Sequence, residues 1–432
     1  MDFSFDKRTE ELRENLTDFM ATHVIPAEPH FAEPHFAEPH FAEPHFVAGS
    51  REHPGAPASG WGRPPVMAEL RDEAQRRGLW NLFLPHSPLG AGLSNLQYAP
   101  LAEITGWSPR VAPEALNCAA PDTGNMELLA MFATDEQKKR WLEPLLEARI
   151  RSAYCMTEPG LASSDASNMR LTARHEGDQY VLNGRKWWAT GALAPECELL
   201  VVLAVTDPDA EPRHRQSILL VPTDTEGVHV VRGLSVFGFT DAAHGGHAEV
   251  AFENVRVPAT HLLGQEGEGA RLAQARLGPG RIHHCMRLVG MAERALELMC
   301  ARAEERTAFG RPLAEQGEVL SWLAEARVRI DQLRLMVLQA AWLIDEVGAR
   351  QARTQISAIK IAAPQTAEWV IDRAIQLHGA AGMAQDLPLA MLWAQARGLR
   401  FADGPDEVHR MVLGRRELAR QRDKAIGGKR TR

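Results

Sequence analysis

The 432-residue sequence lacks several patterns that would assign a chain to a protein class at once. It has no run of 18 or more apolar residues, so we expect no membrane span. It also has no basic excess, because 48 lysines and arginines stand against 56 aspartates and glutamates, which gives a net charge of -8. Nucleic-acid phosphates require a basic surface, so this balance argues against nucleic acid as a partner.

Cysteine is scarce, and its spacing excludes two further kinds of site. The five cysteines form no C-x-x-C pair, so neither a zinc knuckle nor a redox dithiol is indicated. Residues 1–6 read Met-Asp-Phe-Ser-Phe-Asp, which is not the basic-then-apolar pattern of a secretion signal. We therefore expect reduced thiols in an intracellular protein, located in the cytoplasm.

The most unusual segment is a repeat. The unit Ala-Glu-Pro-His-Phe occurs four times between Ala27 and Phe46. A proline every fifth residue breaks a helix, so we expect a loop over residues 27–63. Two interpretations remain open: a metal site built from four histidines, or a tandem duplication tolerated in an exposed loop, which the composition favours. The histidines are His30, His35, His40 and His45.

Apolar spacing predicts helices on both sides of a strand-rich stretch. In the first 150 residues we expect helices at 5–24, 65–79, 95–106 and 122–133, and a capping box at Thr134–Gln137 that begins another. Residues 151–264 contain short β-branched runs, which we interpret as a barrel or sandwich. Within it, Asn183-Gly184 predicts a type I′ hairpin turn.

Helical periodicity returns from about Gly267 and continues over residues 265–432. We expect one long helix beginning near Arg281, after a Gly-Pro-Gly break, and others at 313–347, 355–379, 387–398 and 405–425. The sequence thus predicts an α+β chain with an N-terminal helical domain (1–150), a middle β domain (151–264) and a C-terminal helical bundle (265–432).

Three sequence motifs lie in the predicted β domain and near the end of the predicted helical bundle. Residues 154–165 read Tyr-Cys-Met-Thr-Glu-Pro-Gly-Leu-Ala-Ser-Ser-Asp, and residues 186–190 read Lys-Trp-Trp-Ala-Thr. Residues 402–410 read Ala-Asp-Gly-Pro-Asp-Glu-Val-His-Arg. Together with the α–β–α order, these motifs resemble the acyl-CoA dehydrogenase family over about residues 5–425. The run at 280–287 and the run at 402–409 are similar to the branch of family members ten and eleven and its bacterial relatives.

The resemblance implies FAD as the cofactor and assigns residues of the middle domain to it. The segment of Tyr154, Met156 and Thr157 would lie along the flavin ring, Trp188 would pack on it, and Thr190 would bond near N5. On periodicity alone, Trp187 and Trp188 would simply alternate across a half-buried strand. The family also has a serine near the FAD phosphates and the acyl-CoA. One extra residue in this chain leaves open whether Ser163 or Ser164 matches it.

Two further motifs resemble the family's contacts to the FAD of a neighbouring subunit, which would require a homodimer or homotetramer. The run Arg306-Thr-Ala-Phe-Gly implies a pyrophosphate contact from Arg306, which would otherwise be an ordinary surface charge, and an adenine contact from Phe309. The run Gln376-Leu-His-Gly-Ala-Ala-Gly implies contacts from Gln376 and Gly379, although Ala380 replaces one of the family's glycines.

The family's catalytic Glu-Gly pair matches Asp403-Gly404, which implies that Asp403 is the base. By itself, Asp-Gly is equally typical of a turn or a helix cap. The resemblance also places Glu407 at FAD and makes Arg281 a candidate for lining the substrate site with Gly404. Consecutive helical residues such as His283, His284 and Cys285 point about 100° apart, so we expect no metal site there.

The resemblance implies an oxidoreductase that converts acyl-CoA to trans-2-enoyl-CoA in β-oxidation-type metabolism and passes electrons to an electron-transfer flavoprotein. Long-chain or 4-hydroxy acyl-CoA is the substrate hypothesis. Two alternatives remain open at this stage: an oxidase of the same fold that uses oxygen, and a DNA-binding relative, which the acidic balance opposes.

Overall fold

A computed structural model of the chain describes residues 4–31 and 61–427. His35, His40 and His45 lie outside these ranges, and His30 lies in a short 3-10 segment, Glu28–Phe31. The chain forms two compact units. The helical unit consists of 1–20, 93–109 and 278–432, and the sheet unit consists of 21–92 and 110–277.

The helices follow local capping and apolar spacing. Asp6 caps the first helix by accepting a hydrogen bond from the Thr9 amide. The capping box at Thr134 and Gln137 is present as predicted. The helices are α1 (Lys7–Phe19), α2 (Ile25–Ala27), α3 (Val66–Arg76), α4 (Asn95–Thr105), α5 (Ala112–Ala115), α6 (Asp122–Phe132), α7 (Asp135–Gln137), α8 (Glu143–Leu146), α9 (Gly269–Glu305), α10 (Gly317–Val347), α11 (Arg353–His378), α12 (Ala380–Met383), α13 (Leu389–Gly398) and α14 (Asp406–Gly427).

The strands of the sheet unit form one eight-stranded sheet. They are β1 (Arg151–Cys155), β2 (Thr172–Glu176), β3 (Gln179–Thr190), β4 (Cys197–Val205), β5 (Gln216–Pro222), β6 (Val228–Leu234), β7 (His247–Pro258) and β8 (Leu262–Leu263). The hydrogen-bonded order runs β6-β7-β3-β2-β4-β5-β8, and β1 pairs with β4 in parallel. Aliphatic side chains of these strands, including Leu200, Val202 and Leu219, are fully buried and form the core of this unit.

The predicted hairpin turn at Asn183-Gly184 is wrong. The chain turns instead at residues 177–178, between β2 and β3, and β3 continues straight through Asn183. Asn183 pairs with Thr172 of β2, and Gly184 pairs with Phe252 of β7. Since β3 has a hydrogen-bonded neighbour on each side, sheet pairing overrides the local preference of Asn-Gly for a turn.

Two bulges interrupt the pairing of β3 with β7. Between Leu182 and Gly184 the extra residue is on β7, and between Lys186 and Ala189 it is on β3. A non-glycine residue with positive φ lies at each bulge: Asn254 at 54° and Trp188 at 54°. A bulge bends the strand and redirects a side chain, so the two tryptophans of β3 no longer alternate simply between faces.

The helical unit packs α4 closely against α9. A Cβ added to Gly290 would lie 1.8 Å from the carbonyl oxygen of Glu103, and one added to Gly106 would lie 2.1 Å from that of Arg287. Only glycine permits so close an approach of two backbones. The long helix predicted to begin near Arg281 begins earlier, at Gly269, and continues through residues 278–280. A proline fixes φ near the helical value, so a long helix can continue through it at the cost of one backbone hydrogen bond.

The chain order of helices, strands and helices agrees with the sequence prediction, while the domain boundaries at 150 and 264 stay a prediction. In α10, which lies within the helix predicted over 313–347, apolar side chains at helical spacing are buried at Ala326, Ile330, Leu333 and Val337, whereas Leu320 is exposed. Across residues 4–31 and 61–427, we find no helix whose length and hydropathy would suit a membrane span.

Candidate functional site

The two motifs of the sheet unit are joined by their backbones. The Trp187 amide donates to the carbonyl oxygen of Thr157 at 2.9 Å. Met156 and Thr157 are half-buried, and Trp188 is 40% exposed, a large fraction for an aromatic side chain of a strand. A planar ring stacked on Trp188 would remove this apolar surface from water, so the segment fits a flavin.

A buried ion pair supports these motifs. Lys186 Nζ donates to Glu158 at 2.8 Å and to the Met156 carbonyl oxygen at 2.9 Å. The Glu158 carboxylate also accepts from the amides of Arg170 and Leu171. Burial lowers the pKa of Lys186, although the Glu158 carboxylate opposes this effect. Both residues lie within the recognised motifs, but their pairing was not predicted.

The two serines differ in their surroundings. Ser163 is buried, and its Oγ accepts a hydrogen bond from the Glu158 amide at 2.9 Å. Ser164 is exposed. The Ser163 hydroxyl therefore closes a turn of the protein itself, whereas the Ser164 hydroxyl is accessible to a ligand.

Thr190 ends β3 opposite His247, which begins β7. Thr190 Oγ1 lies 2.9 Å from His247 Nδ1, and His247 Nε2 lies 3.1 Å from Asp241 Oδ2. The rings of Trp188 and His247 are 5.6 Å apart. Asp241 and His247 were missed at the sequence level, because nothing in their local pattern reveals a partner on another strand.

Tyr154 lies near the end of β1, beside the buried Arg276. The Arg276 guanidinium lies over the Tyr154 ring at 4.0 Å, in cation–π geometry. Arg276 also donates to Asn125 Oδ1 at 2.8 Å and to the Pro121 carbonyl oxygen at 3.3 Å. These contacts give the Tyr154 ring a structural role within the sheet unit.

In the helical unit, Asp403 lies in a tight turn between α13 and α14, with φ values of 56° at Asp403 and 102° at Gly404. The backbone carbonyl of Asp403 accepts hydrogen bonds from Arg281 Nε at 2.9 Å and His409 Nε2 at 3.3 Å. Burial lowers the pKa of His409 to about 4, so this ring stays neutral near pH 7. The turn expected for Asp-Gly is therefore present, and it is held from both sides.

A buried lysine of α11 supports the same turn. Lys360 Nζ donates to the Leu399 carbonyl oxygen at 2.5 Å and lies 3.5 Å from that of Gly404. Burial lowers the pKa of Lys360, with nearby acidic groups opposing the effect. Lys360 was not identified from the sequence, since a single lysine in a helix is usually a solvated residue.

The Asp403 carboxylate faces α9. His284 Nε2 lies 3.6 Å from Asp403 Oδ2, and a Cβ added to Gly280 would lie 3.6 Å from the same oxygen. Glu407, expected at FAD, is largely exposed and lies 3.7 Å from Arg410. The structure thus brings together Arg281, Asp403 and Gly404, and it adds His284 to them.

The expected cross-subunit residues lie at the surface. Arg306 and Phe309 belong to a hairpin formed by β9 (Thr307–Ala308) and β10 (Arg311–Pro312). Its tip has positive φ at both Phe309 and Gly310, and the Phe309 ring is fully exposed. Gln376 and Gly379, at the end of α11, are also exposed. These surface positions are compatible with contacts to another molecule.

The described part of the chain contains no cluster of three or more histidine, cysteine or acidic residues arranged for a metal ion. No disulfide joins the five cysteines, all of which are described. The consecutive residues His283, His284 and Cys285 behave as helical geometry requires: His283 is buried against Tyr98, whereas His284 faces Asp403.

Three family models match the chain in order. They are the N-terminal domain of acyl-CoA dehydrogenase at residues 56–149, the middle domain at 153–255 and the C-terminal domain at 267–418. The matches cover most of the sequence and agree with its order of helices and strands.

Curated relatives and solved structures agree with these models. The probable acyl-CoA dehydrogenase FadE2 of Mycobacterium tuberculosis is 52% identical over 422 residues, which is 98% of each chain. Mouse acyl-CoA dehydrogenase family member 11 is 47% identical over 97% of this chain and 51% of its own length. A solved structure assigned as an acyl-CoA dehydrogenase from Mycobacterium abscessus has 50% identity and a TM-score of 0.90, over 97% of this chain and all of that one.

A more distant structure shares the fold. A glutaryl-CoA dehydrogenase from Mycobacterium smegmatis, solved in complex with FADH2, has 22% identity and a TM-score of 0.77, over 96% of this chain and 95% of that one. The predicted fold class is thereby confirmed. From the three matched domains and the relative identical at half of all positions, the chain belongs to the acyl-CoA dehydrogenase family of FAD-dependent oxidoreductases.

Proposed function

We propose that this chain oxidises the Cα–Cβ bond of an acyl-CoA thioester to trans-2-enoyl-CoA, with Asp403 as the base that removes the α-proton. The observation that carries the proposal is the fixed turn of Asp403. Arg281 and His409 donate to the Asp403 carbonyl oxygen, and Lys360 donates to the carbonyl oxygen of Leu399, just after α13, and lies 3.5 Å from that of Gly404. A base must be held in one place to act on a bound substrate, and this turn is held by its backbone.

Asp403 is one methylene shorter than the family's glutamate. The direction of the Asp403 carboxylate is set by the positive φ of Asp403 and by the positive φ of Gly404, which glycine adopts readily. The resemblance also implies that some family members carry their base at the position of Gly280, and this chain has no carboxylate there. His284 Nε2, 3.6 Å from the Asp403 carboxylate, stabilises the ionised base by charge when its ring is protonated.

The proposed cofactor residues are Met156, Thr157, Ser164, Trp188 and Thr190 of the sheet unit. Bound FAD would supply the two-electron acceptor for the β-hydride. The exposed Trp188 provides an apolar wall, and Thr157 and Thr190 provide hydroxyl groups. Ser164 is preferred over Ser163 for a ligand contact, because the Ser163 hydroxyl is engaged with Glu158.

The chain is proposed to act as a homo-oligomer, in which Arg306, Phe309, Gln376 and Gly379 contact the FAD of a neighbouring subunit. Apolar side chains are exposed along α10 at intervals of seven or eight residues, so they share one face of the helix. Together with the exposed Phe309 ring, this face supports association between copies. The side chains are Leu320, Val328, Leu335 and Trp342.

Long-chain or 4-hydroxy acyl-CoA is the proposed substrate class, and an electron-transfer flavoprotein is the proposed acceptor. The oxidase alternative differs only in the acceptor, so oxygen consumption coupled to acyl-CoA oxidation would favour it. The DNA-binding alternative predicts retention on duplex DNA at physiological salt, which the net charge of -8 opposes.

Anaerobic visible spectroscopy of the purified protein tests the proposal. We expect a flavin spectrum that bleaches with one class among short, long and 4-hydroxy acyl-CoAs. Asp403→Asn should keep bound FAD and lose bleaching, while the control Asp386→Asn, in an exposed loop, should bleach like wild type. Bleaching that persists in Asp403→Asn would remove Asp403 as the base. Flavin that only short acyl-CoAs bleach, or that no acyl-CoA bleaches, would contradict the proposed substrate class.

A further inference from the structure

A continuous chain of hydrogen-bonding groups leads from a loop of the sheet unit to Thr190. Asp241 Oδ2 lies 3.1 Å from His247 Nε2, and His247 Nδ1 lies 2.9 Å from Thr190 Oγ1. His247 and Asp241 are both about seven-eighths buried in their side chains, at 13% and 14% exposure. Arg110 Nε lies 3.5 Å from the other oxygen, Asp241 Oδ1.

The loop fixes Asp241 firmly. Asp241 has a positive φ of 53°, and its carbonyl oxygen accepts hydrogen bonds from the amides of His244 and Gly246. The carbonyls of Gly245 and Gly246 in turn accept from Leu193 and Gly191, just beyond β3. The carboxylate is therefore held beside β7 by backbone contacts that do not involve His247.

The direction of each hydrogen bond follows from Asp241. Burial by itself would raise the pKa of Asp241, but the hydrogen bond from His247 and the charge of Arg110 hold it below its ordinary value, so the carboxylate is ionised and only accepts. His247 Nε2 must then carry a hydrogen. In the neutral ring Nδ1 is left as an acceptor, so the Thr190 hydroxyl donates its only hydrogen to it.

We propose that Asp241 and His247 are positioning residues that turn the Thr190 hydroxyl away from the cofactor, so that Thr190 presents only oxygen lone pairs to it. This inference rests on the proposed function, in which Thr190 lies beside flavin N5. Oxidised N5 can only accept a hydrogen bond, whereas reduced N5 carries a hydrogen that can be donated. A Thr190 that only accepts therefore stabilises the reduced flavin and favours hydride uptake.

Asp241→Asn should reverse the direction of the hydrogen bonds that run through His247 to Thr190, with little change in side-chain shape. Arg110 can only donate, so the amide oxygen of the new side chain would face Arg110, and its NH2 group would face His247 Nε2. The ring would then carry its hydrogen on Nδ1 and donate to Thr190, whose hydroxyl hydrogen would be released toward the cofactor. Asparagine also tolerates the positive φ of this position.

The test combines two measurements on the purified holoenzyme. The midpoint potential of the flavin in Asp241→Asn should become more negative by at least about 30 mV. For a two-electron couple, this shift corresponds to a tenfold change in the ratio of reduced to oxidised flavin. In 15N spectra of the histidine rings, the hydrogen of His247 should move from Nε2 in wild type to Nδ1 in the variant. Asp207→Asn, in an exposed turn, is the control and should change neither.

His247→Phe provides a second test if Asp241→Asn does not fold. It removes the acceptor of the Thr190 hydroxyl, so the potential should again become more negative. An unchanged potential in the folded variants, or a wild-type His247 that carries its hydrogen on Nδ1, would overturn the proposal. The tautomer of His247 can be measured with or without bound flavin. Failure of the proposed function would therefore be seen separately, because the purified wild-type protein would contain no FAD.

Discussion

Lys186 and Glu158 form a buried ion pair, with Lys186 Nζ 2.8 Å from a carboxylate oxygen of Glu158. Removing one partner of such a pair leaves the other charge buried and uncompensated. Lys186→Met should therefore lower the free energy of unfolding by about 3–5 kcal/mol, as measured by chemical denaturation. It should also lower FAD content, because Lys186 holds the Met156 carbonyl as well.

Lys7 provides the control for this prediction, since it forms an exposed pair with Glu11 on α1. Lys7→Met should change the free energy of unfolding by less than about 1 kcal/mol. Equal losses in the two variants would show that the burial of the Lys186 pair has no energetic consequence.

Glu127→Gln should make the protein more stable at alkaline pH. Glu127 is buried, and its Oε1 atom has no hydrogen-bond partner among the described residues. Burial raises the pKa of Glu127 to about 8, although Arg276 opposes the shift. Between the ordinary pKa of 4.5 and about 8, the folded state keeps a proton that the unfolded state has released. The free energy of unfolding of the wild type therefore declines as pH rises through this window.

Denaturation at a series of pH values would check this expectation. Glu127→Gln should exceed wild type by about 2–4 kcal/mol near pH 8.5 and approach it near pH 4.5. The exposed Glu69 of α3 is the control, and Glu69→Gln should follow the wild-type curve. A difference between Glu127→Gln and wild type that does not vary with pH would contradict the assignment.

Gly290→Ala should disrupt the contact between α9 and α4. The added Cβ would lie 1.8 Å from the Glu103 carbonyl oxygen, and backbone on both sides leaves no side chain that could move away. We expect a loss of at least about 3 kcal/mol in the free energy of unfolding. Gly414→Ala, in α14, has no atom within 4 Å of the added Cβ and should instead stabilise the helix by up to about 1 kcal/mol. A Gly290→Ala variant as stable as the wild type would mean that the two backbones do not approach so closely in solution.

Lys360→Met should slow substrate oxidation while FAD remains bound. Without the ammonium group, the Leu399 and Gly404 carbonyls lose a donor, and the turn of Asp403 can shift. A displacement of about 1 Å can cost on the order of 10²-fold in rate, so we expect a loss of that size in acyl-CoA-dependent flavin bleaching, measured by stopped flow. The exposed Lys139→Met is the control. Bleaching at the wild-type rate in Lys360→Met would show that this lysine does not position the base.

Local signals predicted the elements that depend on local interactions. The capping box at Thr134 and the helix predicted over 313–347 both depend on residues three or four positions apart, and both are present. The turn at Asn183-Gly184 failed because its conformation is decided by β2 and β7, whose residues are distant in the sequence.

The supporting residues of the site could not be predicted for the same reason. Lys360 contacts carbonyls 39 and 44 residues away, and His247 contacts Thr190 57 residues away. A lysine in a helix and a histidine at the start of a strand have no pattern that reveals such partners. Asp403 was identified only through its resemblance to a family motif, because Asp-Gly by itself indicates no more than a turn.

One of the two bulges adds a residue to β7 and the other adds a residue to β3, and this arrangement limits which insertions and deletions the gene can tolerate. The extra residue of β7 near Asn183 is offset by the extra residue of β3 at Trp187 and Trp188. Thr190 therefore pairs with His247 in the same register in which Gln179 pairs with Pro258. Inserting or deleting one codon between the bulges would move Thr190 past His247 and turn its side chain to the opposite face. Length variation among descendants of this sequence should therefore spare residues 183–190 and collect in exposed loops such as 207–214.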